Sequence, residues 1–403
     1  MRVERAPATT PRAWTWYVLA MGAWFLAIGL NQVLVPALVT QELRANAGGL
    51  ATVQTASQIP TILLILLGGA VADRADRRRL LVGLYLAAAA LTAGLALCVQ
   101  GGLLSLPVMI AYGALLAALS AFLMPARDSL LSDVAEGDLM RAVSLLAATQ
   151  WSMQAVGSFA ARLGERAGVP ALIGAQSLVI ALGAFAVWRL PRHAQRESSG
   201  RALSLHELAE GVAEVVRSPE LRVVALLAIT LGILFIGPFM VVFPILIRDF
   251  YHGDLGDLAL LFGSFQVGII VSSGILIARG GVERKGRAQL LALGGGGVCM
   301  CLVGLGLPFV AVLAVWFSFG LGAAVFMNAS RTLFQERAPQ AHRGRVLSVY
   351  TLATMGASGI VGAPLSGVLV TRVGPLPTCT LAGVAMCAVV AAFWLASDVR
   401  RLE

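Results

Sequence analysis

The sequence is poor in the residues from which soluble enzymes and disulfide scaffolds are built. Charged residues make up 13% of its 403 positions, against about 25% in soluble domains. Its five cysteines lie in or beside apolar runs without metal-ligand spacing, and its four histidines fall in connecting segments far apart in sequence. These shortages exclude a sizeable soluble domain. They also predict no catalytic residue, no metal site and no cofactor.

Long apolar runs fill most of the chain. Hydrophobic residues make up 58% of it, and a membrane-crossing helix needs about 20 of them in succession. The first run is too long for the core of a signal peptide, so we expect it to be retained. We predict an all-α polytopic membrane protein with twelve transmembrane helices, at residues 14–40, 49–72, 80–99, 103–124, 142–163, 170–190, 221–247, 257–278, 288–307, 309–330, 346–371 and 377–397.

The charges on the connecting segments predict the orientation. With both termini on the same side, 25 of the 30 basic residues fall on that side. Because cytoplasmic loops carry the excess of Lys and Arg, this side is the cytoplasm. The same distribution explains the net charge of +9 without nucleic acid, since the basic residues are scattered among hairpin loops. We expect a multi-pass protein of a bacterial inner (plasma) membrane.

The two halves of the chain repeat each other. A shift of 204 residues lays Arg127 over Arg331, Arg141 over Arg345, and Ser144 over Ser348. Duplicated six-helix halves support alternating access in transporters. We predict two pseudo-symmetric six-helix bundles, in domains 1–190 and 221–403. A cytoplasmic linker, 191–220, would carry a short amphipathic helix beginning near Ser204 and ending near Ser218-Pro219.

One connecting segment, GGAVADRADRRR at Gly68–Arg79, holds two acids and four arginines between two apolar runs. An ordinary basic hairpin loop would need only the arginines. The segment resembles the G-x-x-x-D-R-x-G-R-R signature of major facilitator superfamily transporters, except that Asp76 stands where that signature has glycine. The resemblance implies that Asp73 latches the inner side shut against the start of the eleventh helix, near Arg345. The gating residues that it implies are Gly69, Asp73, Arg74, Arg77, Arg78, Arg127 and Arg345.

Further stretches are similar to the exporter branch that includes the enterobactin exporter and the macrolide efflux proteins. They include the Leu130–Arg141 loop, Val242-Phe-Pro244 and the segment from Gln335 to Arg345. The resemblance implies export of a small amphipathic organic molecule, such as a siderophore or a drug-like compound. An uncoupled facilitator, for instance of lysophospholipids, stays open. A membrane-embedded enzyme and a non-transporting membrane partner are less favoured.

Amides provide most of the polar groups within the apolar runs. Such groups must find partners or face a cavity. Bonding between helices is one alternative, and a shared cavity for a neutral or amphipathic substrate is the other. The candidate cavity residues are Asn31, Gln54, Gln58, Gln150, Gln154 and Gln266.

Acidic and histidine side chains are absent from the middle of the predicted spans. If transport is driven by protons, the candidate carriers are Glu42 and Asp249, both at the outer ends of helices. We expect the protein to work as a monomer in the lipid bilayer on a small-molecule substrate.

Overall fold

A computed structural model describes residues 11–134, 139–191, 205–338 and 343–401. Helices account for nearly all of these residues, and no strand occurs among them. The long helices are α1 (Pro11–Ala37, continued by a π-helical segment, Leu38–Glu42), α2 (Ala47–Arg74), α3 (Arg77–Gln100), α4 (Leu106–Val134), α5 (Leu139–Ala160), α6 (Val169–Trp188), α7 (Pro219–Leu231, π-helical Gly232–Ile236, then Gly237–Asp249), α8 (Leu255–Ala278), α9 (Lys285–Gly304), α10 (Phe309–Arg337), α11 (Arg343–Gly356, π-helical Ala357–Gly362, then Ala363–Val373) and α12 (Pro375–Ala396).

The long helices are suited to crossing a membrane. Within the described residues, ten of them are long and apolar enough to do so. The other two, α2 and α5, contain 28 and 22 residues, and at about 1.5 Å per residue each can cross about 30 Å of hydrocarbon. The predicted multi-pass, all-α architecture with twelve long helices is therefore confirmed.

Two helices extend further than their hydropathy predicts. The fourth was expected to end at residue 124, but α4 continues through Pro125 to Val134. Likewise α10 reaches Arg337, seven residues beyond its predicted end. Hydropathy indicates where the hydrocarbon layer ends, but the backbone hydrogen bonds of a helix can continue into the polar layer. Proline within such a helix removes only one backbone N–H donor.

The two halves share one helical plan. A shift of 204 residues brings the last residue of α2, Arg74, onto the last residue of α8, Ala278, and the first residue of α5, Leu139, onto the first of α11, Arg343. Packing repeats as well, since α2 packs on α4 and α3 on α6, as α8 packs on α10 and α9 on α12. The pseudo-symmetric bundles are confirmed.

Two seams join the bundles, one between α5 and α8 and the other between α2 and α11. The same 204-residue shift relates α2 to α8 and α5 to α11, so the seams are equivalent by pseudo-symmetry. Their contacts decide which side of the protein is closed.

A further helix, Leu205–Arg217, follows the first bundle, and we call it the linker helix. Its predicted first residue, Ser204, lies outside the described residues. The helix packs on the first turns of α11 and α7, where Val215 is buried. It ends before Ser218, whose side chain caps α7 by accepting a hydrogen bond from the Leu221 amide at 3.4 Å.

Candidate functional site

The inner turn between α2 and α3 consists of Ala75 and Asp76. Asp76 is the N-cap of α3, because its Oδ1 accepts a hydrogen bond from the Arg79 amide at 3.1 Å. Its other oxygen lies 3.4 Å from Nε of Arg79. The residue that departs from the family signature therefore stabilises the start of α3.

The acidic part of the predicted gate lies in the last turns of α2. Gly69, Asp73 and Arg74 are helical there, but their side chains lie outside the described part of the structure. Arg77 is the first residue of α3. The Arg78 guanidinium donates a hydrogen bond to the Trp188 carbonyl and lies 6.0 Å from the centre of that ring, which ties α3 to α6 within the first bundle.

Arg127, on α4, is buried within the first bundle. Its Nη2 lies 2.7 Å from Oδ1 of Asp128, and its guanidinium lies 5.4 Å from the centre of the Phe25 ring. The Tyr17 hydroxyl donates to the Arg127 carbonyl at 3.2 Å. The described ion-pair partner of Arg127 is thus its neighbour, Asp128, and a contact with Asp73 stays a prediction.

Arg345, in the first turn of α11, pairs with Glu210 of the linker helix. Gly211 lies directly against the Arg345 backbone, since a Cβ there would come within 3.0 Å of the Arg345 carbonyl. The linker helix therefore packs on the first turn of α11, and the family resemblance implies that Asp73 contacts this same turn. A contact between Asp73 and α11 remains a prediction.

Gln266, on α8, is the polar centre of the α5–α8 seam and only 2% exposed. Its Nε2 donates to Oε1 of Gln32 at 2.9 Å and to Oγ of Ser158 at 3.0 Å. Ser158 in turn donates to the Gly29 carbonyl at 3.1 Å. Three helices of two bundles thus meet at one amide, whose Oε1 has no hydrogen-bond partner among the described residues. The sequence analysis identified Gln266 but missed Ser158. Two adjacent small residues in an apolar run, Gly157 and Ser158, could have indicated a close contact between helices there.

The other candidate amides are divided between the seams and the first bundle. Gln54 donates to the Met240 carbonyl across the bundles at 3.4 Å. Gln58, four residues further along α2, lies against Gly359 of α11. Asn31 accepts a hydrogen bond from the Tyr112 hydroxyl at 3.0 Å within the first bundle. On α5, Gln154 is buried against Gly29 and Gln150 is half-buried. One cavity shared by all six stays a prediction.

Glycines allow close approach across both seams. A Cβ on Gly263 of α8 would overlap the Phe159 ring of α5, and one on Gly367 of α11 would lie 2.7 Å from Cβ of Ala51 on α2. Small residues commonly let membrane helices pack this closely. Gly359 and Gly367 of α11 thus lie where that helix packs on α2.

Burial changes along the seam helices from the outer to the inner side. In α2, Leu50 and Val53 are fully buried, whereas Leu63 is 67% exposed. In α8, Leu258 and Leu261 are fully buried, whereas Ile277 is 75% exposed. The bundles therefore close on each other at the ends that the charge distribution predicts to be outer.

The outer ends of α1 and α7 meet at Arg248. This guanidinium pairs with Asp249, with Nε 2.5 Å from Oδ1, and its Nη1 donates to the carbonyls of Thr40 at 3.0 Å and Ala45 at 2.7 Å. Glu42, the other proton-coupling candidate, is exposed on the segment between these carbonyls. The structure thus places both candidates at one contact between the bundles.

A groove of about 630 Å³ runs along the outer halves of α2 and α11. Its floor is made of small and apolar side chains, including Ala51, Ala56 and Pro364, and Arg372 stands at its outer end. We call it the lateral groove, and exposed Ile59 and Val368 are among its lining residues.

The second bundle contains a cluster of aromatic rings that sequence reasoning missed. Trp316, on α10, is fully buried, and its ring centre lies 4.0 Å from that of Phe243. The Phe235 and Phe319 ring centres are also 4.0 Å apart. We define the ring cluster as Phe235, Phe239, Phe243, Phe262, Phe265, Trp316 and Phe319.

Comparisons with known proteins agree with this architecture. A sequence model described as Major Facilitator Superfamily matches residues 17–362. Macrolide efflux protein A of Streptococcus pyogenes is 25% identical over 231 residues, an alignment that covers 56% of each chain. The chain thus spans little more than half the length of this relative.

Solved structures with the same arrangement cover nearly the whole chain. The nucleoside transporter NupG superimposes with a TM-score of 0.75 at 12% identity, over 96% of this chain and 98% of its own. A D-xylose-proton symporter superimposes with a TM-score of 0.71 at 13% identity, over 96% and 98%. At these identities the likeness establishes the fold.

Proposed function

Because the chain belongs to the major facilitator superfamily, and is thus a membrane transporter rather than an enzyme, we propose that it exports a small amphipathic organic molecule by alternating access. Siderophores and drug-like compounds are the leading substrate classes. The proposal treats the protein as a monomer that takes its substrate from the cytoplasm or the inner half of the bilayer.

The burial gradient along the seams carries the proposal. The same helices that are buried against each other at the outer side expose apolar side chains toward the inner side. If the two bundles rock about the buried hydrogen bonds of Gln266, the buried end of the seams would open while the exposed end closes. A structural membrane partner has no need of seams whose burial falls off toward one side.

The chemistry of the two bundles supports an amphipathic substrate. The first bundle offers amides and hydroxyls, such as Asn31 and Tyr112, whereas the second offers the ring cluster. All seven rings are buried in this structure, so a molecule with a hydrogen-bonding part and an apolar part would reach both kinds of side chain only after the bundles separate. A small ion would instead require an opposite charge near the middle of the spans.

Export as the direction rests on the similarity to a protein named for macrolide efflux. Proton coupling through Glu42 or Asp249 is part of the same proposal, because both lie where outer protons have access. Asp249 forms an ion pair with Arg248, which in turn donates to the first-bundle carbonyls of Thr40 and Ala45.

A second candidate function is the uncoupled movement of lysophospholipids. The lateral groove between α2 and α11 favours it, since its apolar floor suits an acyl chain and Arg372 suits a phosphate headgroup. This candidate predicts equilibration of the lipid without a driving gradient.

Transport by inside-out proteoliposomes tests the alternatives. A macrolide, a catechol siderophore and a fluorescent lysophospholipid are offered in turn, with and without an imposed proton gradient. Accumulation above the outside concentration, abolished by a protonophore, supports coupled export, and gradient-independent equilibration of the lysophospholipid supports the facilitator.

Two variants complete this test. The E42Q/D249N double variant should retain equilibration but lose accumulation, and undiminished accumulation would remove both residues as carriers. The G263V variant, which cannot close the α5–α8 seam, supplies the non-transporting baseline. If no compound moves faster than with G263V, the substrate assignment is wrong.

A further inference from the structure

The lateral groove has one wall from each bundle. Ala51 and Ile59 of α2 line it on one side, and Pro364 and Val368 of α11 line it on the other. The two helices are in contact at this level, since a Cβ on Gly367 would lie 2.7 Å from Cβ of Ala51. This is the end of the seam that the charge distribution predicts to be outer. The groove therefore keeps its shape only while the bundles are closed at this end.

The groove offers an occupant carbon atoms rather than free hydrogen-bond donors. Thr52 and Thr371 donate hydrogen bonds to carbonyls of their own helices, at 2.9 Å and 2.8 Å. The hydroxyl oxygen of Thr55 is buried, so that side chain lines the groove with its carbon atoms. No acidic residue is among the described residues that line it. These properties suit an apolar chain.

Arg372, in the last turn of α11, gives the groove a positive outer end. It is exposed, and it has no ion-pair partner among the described residues. In contrast, Arg162 and Arg248, on the same side of the protein, pair with carboxylates of their own segments. A guanidinium that is left without a carboxylate at a membrane surface can bind the oxygens of a phosphate group.

The groove is about as long as one leaflet of a bilayer is thick. On α2 it is lined from Gly48 to Ile59, a length of about 16 Å at about 1.5 Å per residue. Half of a hydrocarbon core of about 30 Å is about 15 Å. We propose that the lateral groove binds a diacyl anionic phospholipid of the outer leaflet, with one acyl chain between α2 and α11 and the phosphate at Arg372. The bound lipid stabilises the closed state of the outer side.

The effect on closure follows from the position of the two walls. A lipid in the groove contacts both bundles while the outer side is closed, and it loses one wall when the bundles separate. A ligand shifts a conformational equilibrium by its difference in affinity for the two states, so the anionic lipid raises the closed population. The lipid stays in its leaflet and is not carried across the bilayer. This role differs from lysophospholipid transport, and it does not depend on the substrate.

Distances between spin labels in nanodiscs test this role without substrate. Labels at L103C and L305C, in a background without native cysteines, lie on exposed outer turns of the first and second bundles. The nanodiscs contain phosphatidylcholine alone or with an increasing share of phosphatidylglycerol. We expect phosphatidylglycerol to raise the ratio of closed to open populations at least about five-fold, the lower end of typical coupling between two sites.

Two substitutions each remove one part of the site. R372Q removes the partner of the phosphate, and A56F fills the groove where the acyl chain would lie. Both should lose most of the response to phosphatidylglycerol. The matched control is R166Q, which removes the charge of an exposed arginine on the short helix Gly164–Ala167 that follows α5. This variant should respond as the unsubstituted protein does.

A closed population that does not change with phosphatidylglycerol would overturn the proposal, and so would R372Q or A56F variants that respond in full. Loss of the response in R166Q would assign the effect to surface charge in general and not to the groove. A response of neutral nanodiscs to soluble glycerol phosphate would mean that the site takes a free anion, which would also rule out the lipid. Every outcome is read from distances without substrate, so a wrong substrate assignment leaves it unaffected.

Discussion

The same contact is built from different chemistry in the two bundles. In the first, the Tyr112 hydroxyl donates a hydrogen bond to Asn31. The 204-residue shift carries this pair onto Trp316 and Phe235, whose ring centres lie 5.9 Å apart. The duplicated halves have kept the helix contact and exchanged its side chains. Packing geometry is thus retained between α1 and α4 and between α7 and α10, whereas polarity is not.

The two seams differ in the same way. Gln266, the polar node of the α5–α8 seam, corresponds under the shift to Ile62 on α2, and Gln58 on α2 corresponds to Phe262 on α8. The α5–α8 seam is accordingly joined by buried hydrogen bonds, whereas the α2–α11 seam is joined by small residues and is flanked by the lateral groove. An asymmetric pair of seams need not open with equal ease.

The largest expected effect of a substitution is in the ring cluster. Trp316→Ala removes the fully buried indole at its centre, and Trp→Ala changes in cores cost about 3–5 kcal/mol. We expect a large drop in the free energy of unfolding, measured by thermal unfolding in detergent. A stability near that of wild type would mean that the second bundle does not depend on its rings.

The next effect is on closure of the α5–α8 seam. Gly263→Val places a branched side chain against Phe159, and overpacking of this kind costs about 1–3 kcal/mol. We expect outer-side labelling of an introduced cysteine in this seam to rise and transport to fall. Gly274→Val, on the same helix with open space around it, should leave both unchanged. Equal effects of the two variants would contradict the assigned contact.

A smaller effect should distinguish the polar seam from the apolar one. Gln266→Leu removes hydrogen bonds to Gln32 and Ser158, worth about 1–2 kcal/mol together in a membrane protein. Gln54→Leu removes one long hydrogen bond between the bundles, from α2 to the Met240 carbonyl of α7, and should cost less. Unfolding of both variants in detergent compares their losses of stability. A larger loss for Gln54→Leu would show that the contact made by α2 contributes more to holding the bundles together.

The smallest effect is expected at the hydrogen bond between Tyr112 and Asn31. Tyr112→Phe removes the hydroxyl but keeps the ring, and a single hydrogen bond between membrane helices averages about 0.6 kcal/mol. We expect a slight destabilisation, measured by thermal unfolding in detergent. If the substrate binds at Asn31, the same variant should alter its apparent affinity. A loss as large as that of Trp316→Ala would mean that the two bundles depend on this contact equally.

The sequence sufficed for the helices and for their duplication, because both are repeated patterns along the chain. It could also identify Gln266, since a buried amide in an apolar run requires a partner. It could not identify Ser158 or Gln32 as those partners, because which faces of α1, α5 and α8 meet is a property of the packed bundles. The ring cluster could not be predicted for the same reason, since its members lie on three helices and meet only when those helices pack.

The π-helical segment of α11, Ala357–Gly362, aims the outer end of that helix. A π-helical turn holds about one residue more than an α-helical turn, and one residue corresponds to a rotation of about 100°. If the segment became α-helical at unchanged length, Gly367 would turn away from Ala51, whereas deleting a single residue there would restore an unbroken α-helix that still presents Gly367 to Ala51. The chain should therefore tolerate a one-residue deletion in this segment better than a one-residue deletion elsewhere in α11.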